Sequence, residues 1–239
     1  MLYFFGDSWS AETGELEAWH VKNNIAPGEP LLSYPAMISK FLNIPYRNFS
    51  VPGSSQQSMI PQLINSDAKS GDHAIFSLTS PSRRFYYNND NTMINLSIDG
   101  IKESISVYQD SWLSALTCFT LYNYCMQKEI QPWFVSTFDV SYHDRIEKHH
   151  ALWKHVPDSV WILPKETCLV QTEFDPEWYN KESKNLTANL YNWLNSGRPA
   201  VNKYIRPCVD HPNLAGRKKI AKKITSVLKN KIKEVYVSI

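Results

Sequence analysis

The sequence has few cysteines, no long apolar run and no leader-like start. Its 239 residues contain four cysteines, at positions 118, 125, 168 and 208, and no Cys-x-x-Cys pair. This argues against a disulfide framework and favours free thiols in a reducing compartment. No apolar stretch approaches the length of a membrane span, and no basic segment precedes an apolar one at the start. We therefore expect a cytoplasmic protein with no membrane partner.

Several other features are missing. No glycine-rich phosphate loop of either common spacing occurs, which speaks against a nucleotide hydrolase of that kind. No internal repeat, low-complexity segment or linker divides the chain, so we expect a single domain over residues 1–239. Residues 217–233 hold eight Lys and Arg and no acid, leaving 17 basic and 23 acidic residues elsewhere. Outside this segment we expect no nucleic-acid partner; its lysines form either a solvated helix face or an anion-binding surface.

Apolar periodicity predicts strands that alternate with helices. Such alternation is typical of an α/β protein, with a parallel sheet of about five strands covered by helices on both faces. The polar, Asn-rich segment 86–99 is interpreted as irregular. The predicted strands are Leu2–Phe5, Pro45–Phe49, His73–Leu78, Pro132–Phe138 and Ser159–Leu163. The predicted helices are Leu31–Leu42, one ending near Asn65, one from Ile101 to about Lys128, Asp144–His155, and one from about Asn213.

Three loops follow predicted strands directly and carry the candidate site residues. Ser8 follows the first strand, Gly53 the second, and residues 79–84 the third. In an open parallel sheet, sites form where the carboxyl ends of strands meet. The sequence therefore predicts one cleft at this edge.

Two residues in these regions suit nucleophilic catalysis. Ser8, in Gly6-Asp7-Ser8, is either a nucleophile or a helix cap. A serine hydroxyl needs a base to remove its proton, and histidine has a suitable pKa. His211, before Pro212 and the last helix, is either that base or an ordinary surface histidine.

Together, Gly6-Asp7-Ser8, Gly53 and His211-Pro212 resemble the motifs of the GDSL/SGNH hydrolases, in the same order along the chain. The resemblance implies a flavodoxin-like three-layer α/β/α fold and hydrolysis of esters, often acetyl or acyl groups on sugars and lipids. It implies that Ser8 is the nucleophile and His211 the general base. The backbone N–H groups of Ser8 and Gly53 would form the oxyanion hole, and no metal or organic cofactor would be needed.

The chain departs from that family near His211. The family usually has an aspartate three residues before its histidine, where this chain has Cys208. Asp210 is the nearest carboxylate and the candidate third member, although adjacent side chains generally diverge. A Ser8–His211 dyad, with a backbone carbonyl orienting the ring, is the alternative.

A second departure follows the third strand, where the family has Gly-x-Asn-Asp. Ser80, Ser82 or Arg83 would have to supply the third oxyanion donor, and Ser80 is the candidate. Arg83 is also a candidate for binding an anionic part of the substrate. The alternative is a simple turn with its arginines paired to surface acids. Trp9 is either a substrate-facing aromatic or a residue that packs its loop onto the core.

Three function classes remain open. The first is a serine esterase acting on a carbohydrate-like or small-molecule ester. The second is a noncatalytic glycan- or nucleotide-binding relative that has kept the cleft. The third is a metal site on His143, Glu147 and His150, whose spacing places them on one helix face, although a solvated face explains them as well. The oligomeric state is not predicted.

Overall fold

A computed structural model describes residues 1–11, 32–79, 84–87, 93–96, 107–137, 151–165, 167–177, 193, 196–205 and 211–237. Its strands are β1 (Leu2–Phe5), β2 (Tyr46–Asn48), β3 (His73–Leu78), β4 (Arg84–Tyr87), β5 (Met93–Leu96) and β6 (Gln131–Ser136). Four of them form a parallel sheet in the order β2-β1-β3-β6. The predicted parallel α/β architecture is thus confirmed, and β3 has the predicted bounds.

In the part of the chain that the structure describes, the sheet has four strands rather than about five. Where the fifth was predicted, Trp161 makes a single parallel bridge to Phe134, and the Ile162 N–H donates to the Phe134 carbonyl at 2.8 Å. A 3₁₀ turn over Asp158–Val160 occupies the first part of the predicted strand, and Pro164 follows its last residue. Little extended backbone is therefore left to continue the ladder.

The segment expected to be irregular contains a pair of strands. β4 and β5 are antiparallel, with Arg84 opposite Leu96 and Tyr87 opposite Met93. The segment is polar on average, and this average conceals the apolar and aromatic residues suited to strands. These residues lie on either side of the Asn- and Asp-rich residues 88–92.

The helices are α1 (Tyr34–Leu42), α2 (Met59–Ile64), α3 (Val107–Gln127), α4 (Pro199–Tyr204) and α5 (Leu214–Val237). α1 begins three residues later than predicted because the Ser33 hydroxyl accepts the Ala36 N–H at 3.2 Å, and Pro35 suits the first turn. The end of the predicted 144–155 helix is a 3₁₀ turn, Ala151–His155, and residues 144–150 lie outside the described part.

Alternate residues of the buried strands face opposite helix layers, as a two-sided parallel sheet requires. Leu2 and Phe4 belong to one core cluster, and Tyr3 and Phe5 to the other. Residues of α1 and α5 contribute to the first cluster: Tyr34, Met37, Ile38, Ile220, Ala221, Ile224, Leu228 and Ile232. Residues of α2 and α3 contribute to the second: Met59, Leu63, Ala115, Cys118, Leu121 and Cys125.

The last helix packs through its apolar stripe. The Lys218, Lys222 and Lys229 side chains are exposed, whereas Arg217 is fully buried. Among the described helices, α5 included, none combines the length and the apolar character needed to cross a membrane.

Cys118 and Cys125 are buried free thiols of α3. Burial raises the pKa of the Cys118 thiol and raises that of Cys125 to about 12. Both are therefore protonated, inert core residues.

His73 makes stability depend on pH. Its side chain is buried, and its Nδ1 accepts the Trp133 indole N–H at 3.2 Å. Burial lowers the pKa of His73 below the ordinary value of about 6.5. Above about pH 6.5 the imidazole is neutral in both the folded and the unfolded protein. As the pH falls below about 6.5, the unfolded chain binds a proton at His73 before the folded protein does. Stability is therefore lost as the pH falls from about 6.5 towards the native pKa.

We expect His73→Gln to reduce the difference in free energy of unfolding between pH 7 and pH 5, because it removes this titration. Urea denaturation at both pH values measures the difference. His155→Gln, at an exposed histidine, is the matched control and should behave like the wild type. An equal pH dependence in His73→Gln and the wild type would contradict the assignment.

Candidate active site

The turn that carries Ser8 follows β1 and spans residues 6–10; it is called the Ser8 turn. The Ser10 and Ala11 N–H groups both donate to the Asp7 carbonyl, at 3.0 and 2.9 Å. A Cβ atom on Gly6 would lie 2.1 Å from Ser10 Oγ and 3.1 Å from Ser77 Cβ. A larger residue at this position would therefore crowd Ser10 and β3.

Asp7 fastens this turn to the end of β3. Its carboxylate is buried, and Oδ1 accepts the Trp9 N–H at 3.0 Å. Oδ2 accepts the Thr79 hydroxyl at 2.8 Å. The aspartate thus fixes the backbone on both sides of Ser8 and ties it to the next loop.

The loop after β2, residues 51–58, is called the Gly53 loop. The Val51 N–H and the Ser54 hydroxyl both donate to the Gly6 carbonyl, at 3.1 and 2.9 Å. Gly53 has φ = +77°, a conformation that glycine adopts without a steric penalty. The Gly53 loop is therefore attached directly to the Ser8 turn.

His211 is held by the chain that leads into α5. Pro212 forms an antiparallel bridge with Ile205, and the Asn213 N–H donates to the Tyr204 carbonyl at 3.0 Å. Asn213 Oδ1 accepts the Gly216 N–H at 2.9 Å, which caps the helix. The Arg217 Nε–H donates to the Pro212 carbonyl at 3.3 Å. His211 is thus held by the residues that follow it.

The structure brings Ser8 and His211 together across 203 residues of chain. Ser8 Oγ lies 2.6 Å from His211 Nε2, within hydrogen-bond distance. Ser8 is 7% exposed and His211 is half-buried. The Trp9 ring lies 6.4 Å from the imidazole, centroid to centroid, at 39°. An imidazole in this position can accept the hydroxyl proton.

Two backbone donors near this pair remain available. Within the described residues, the N–H groups of Ser8 and Gly53 donate to no protein acceptor. Unpaired N–H groups beside a nucleophile are suited to a developing oxyanion.

The other predicted site residues divide into two groups. Trp9 is described, is 2% exposed and packs in a core cluster. The rest lie outside the described residues: Ser80, Ser82, Arg83, Cys208, Asp210, His143, Glu147 and His150. Among the described residues, no group of three His, Cys, Asp or Glu side chains is placed to hold a metal ion.

Sequence reasoning missed the groups that support the site. Asp7 belongs to the motif itself, yet its role depends on reaching Thr79. Tyr34, fully buried in α1, donates its hydroxyl to Ser77 Oγ at 2.6 Å behind the Ser8 turn, and burial raises the pKa of this phenol. Gln56 and Ser114 meet between a loop and a helix, and no local pattern indicates their pairing.

We expect Gly6→Ala to destabilise the protein by about 1–3 kcal/mol, because the new Cβ atom displaces Ser10 and crowds β3. Chemical denaturation measures the loss. The double variant Gly6→Ala/Ser10→Ala should recover part of it, since the nearest clashing atom is removed. A midpoint for Gly6→Ala equal to that of the wild type would refute the close-packing argument.

Comparison with known proteins gives structural neighbours only. No protein-family model matches this sequence, and neither does any curated protein. The crystal structure of the YxiM protein of Bacillus subtilis is similar with a TM-score of 0.52 and 12% identity; the match covers 97% of this chain and 56% of that one. This chain thus spans little more than half the length of that neighbour.

Two further neighbours have lower scores. One is a protein from Slackia heliotrinireducens described as a candidate SGNH hydrolase, with TM-score 0.45, 9% identity, and 95% and 97% coverage of this chain and that one. The other is the acetyl xylan esterase Est2A of Butyrivibrio proteoclasticus, with TM-score 0.45, 12% identity, and 97% and 64% coverage. At such identities the similarity concerns the fold alone. The chain therefore shares an α/β fold with the Bacillus subtilis protein, and its resemblance to the GDSL/SGNH hydrolases rests on Gly6-Asp7-Ser8, Gly53 and His211-Pro212 set in that fold.

Proposed function

We propose that the chain is a serine ester hydrolase that removes an acetyl or acyl group from a carbohydrate-like or small-molecule ester. The observation that carries the proposal is the 2.6 Å distance between Ser8 Oγ and His211 Nε2. A serine–histidine pair at hydrogen-bond distance is the signature of an activated nucleophile. The family resemblance supports the substrate class.

In the proposed reaction, Ser8 Oγ attacks the ester carbonyl carbon while His211 Nε2 takes the hydroxyl proton. The tetrahedral intermediate collapses as the bond to the alcohol breaks, and His211 gives its proton to the departing oxygen. A water molecule then attacks the acyl-serine, with His211 as base, and the proton returns to Ser8 Oγ. The carboxylic acid and the alcohol are the products.

The developing oxyanion is assigned to the N–H groups of Ser8 and Gly53. This role is supported by the attachment of the Gly53 loop to the Gly6 carbonyl, which holds the two donors in adjacent turns. Losing one oxyanion donor typically costs about 10²–10³ in rate. Ser80 remains the candidate third donor, Asp210 the candidate partner of His211, and Arg83 and Trp9 the candidate substrate contacts.

We expect Ser8→Ala to abolish cleavage of a short acyl ester such as a nitrophenyl acetate, and His211→Gln to lower the rate by about a thousandfold or more. Release of the nitrophenolate measures both. Ser226→Ala, at an exposed serine of α5, is the control and should retain the wild-type rate. Equal rates in the wild type and Ser8→Ala would exclude Ser8 as the nucleophile.

The second candidate is a noncatalytic binding protein that has kept the cleft. It is favoured by the two departures from the family pattern, Cys208 and the segment after β3. It predicts saturable binding of a glycan or nucleotide, measured by calorimetry, with no turnover on an ester panel. Ser8-dependent turnover would exclude it.

A further inference from the structure

A chain of buried hydrogen bonds runs behind the site from α3 to the Ser8 turn. It starts at Ser114, whose hydroxyl donates to Gln56 Oε1 at 2.7 Å. Gln56 Nε2 donates to the Thr79 carbonyl at 2.5 Å, and the Thr79 hydroxyl donates to Asp7 Oδ2 at 2.8 Å. Asp7 Oδ1 then accepts the Trp9 N–H. These hydrogen bonds thus connect α3 with the Gly53 loop, the end of β3 and the Ser8 turn.

Gln56 is the central link in this series of hydrogen bonds. It lies three residues after Gly53, and its side chain is 3% exposed. Its carbonyl oxygen and its amide nitrogen are used by two different elements, α3 and the end of β3. A buried amide bonded at both ends has one position, because any movement would leave a buried polar group without its partner.

The Gly53 loop and the Ser8 turn also touch directly, through residues on either side of Gly53. The Val51 N–H and the Ser54 hydroxyl fasten the beginning of the loop to the Gly6 carbonyl. Gly53 itself has no side chain through which it could be held, and its φ of +77° is one that glycine adopts without a steric penalty. The side chain of Gln56 adds a further restraint after Gly53, on the second half of the loop.

We propose that Gln56 is a positioning residue that holds the Gly53 N–H at a fixed place relative to Ser8 Oγ, through Thr79 on one side and Ser114 on the other. The inference rests on the proposed ester hydrolysis. An oxyanion donor acts on the transition state, and displacements of about 1 Å cost up to about a hundredfold in rate. Gln56 therefore acts on kcat and leaves ground-state binding of the ester unchanged.

The chain offers a matched control at the next residue. Gln57 has the same side chain, and its amide atoms are buried without a hydrogen-bond partner in the described part of the chain. Gln57→Leu changes the side-chain volume and removes an amide group as Gln56→Leu does, but it breaks none of the hydrogen bonds that run from Ser114 to Trp9.

We expect Gln56→Leu to lower kcat for the short acyl ester by about 10- to 100-fold, with KM changed by no more than about twofold. Gln57→Leu should keep the wild-type kcat. Gln56→Glu keeps an oxygen that accepts the Ser114 hydroxyl but places a second oxygen against the Thr79 carbonyl. Its kcat should therefore lie between those of Gln56→Leu and Gln57→Leu. Circular dichroism measures the folded fraction to which each rate is normalised.

A coupling experiment separates positioning from a general loss of stability. Ser114→Ala alone should lower kcat by several-fold, whereas added to Gln56→Leu it should lower kcat no further, because the shared bond is already gone. If the two losses multiply, the two residues act independently and the proposed restraint is wrong.

The outcomes for the two proposals are distinct. Ser8-dependent turnover with equal kcat in Gln56→Leu and Gln57→Leu would overturn the role of Gln56 and leave the proposed hydrolase intact. A wild-type protein without Ser8-dependent turnover would overturn both.

Discussion

The place of β1 inside the sheet is the constraint on which the candidate site depends. β1 lies between β2 and β3, and all three strands run in the same direction. The turns that follow them are therefore neighbours at one edge, although Asp7 in the first turn and Thr79 after β3 are 72 residues apart in the chain. The order of strands reverses beside β1, and ligand sites of open α/β sheets form at such a crevice.

Neighbouring loops still have to be fixed relative to each other, and here backbone and polar side chains do this. The Gly6 carbonyl accepts two bonds from the Gly53 loop, and Asp7 reaches the loop after β3 through Thr79. These groups are withdrawn from water, so each bond that fails costs the desolvation of its partner. These bonds together fix the backbone around Ser8.

His211 reaches the same point by a different route. It comes from the far end of the chain, and its position is set by the Asn213 cap and by packing of α5 against α1 and the sheet. The 2.6 Å distance to Ser8 is therefore the combined result of the apolar core and of local caps. The position of the His211 imidazole therefore depends on the stable packing of α5.

Comparison of the predicted and observed elements shows which signals are local. β3 is an apolar run bounded by turn residues, and its predicted limits are those observed. The Asn-rich segment was misjudged because average polarity hid β4 and β5, which depend on pairing with each other. The fifth strand shrank to one bridge because the turn at Asp158–Val160 uses its first residues.

The alternation of strands and helices could be predicted from the amino-acid sequence, as could the apolar stripe of α5 and the positions of Ser8 and Gly53 after strands and of His211 before the last helix. These follow from periodicity and from short motifs, which are properties of neighbouring residues. The folded chain was needed to show that Ser8 meets His211, that a Cβ atom on Gly6 would crowd Ser10 and Ser77, and that Gln56 joins Thr79 to Ser114. Those facts depend on distances between segments far apart in the chain, and these distances are set by the packing of sheet and helices against one another rather than by local preference.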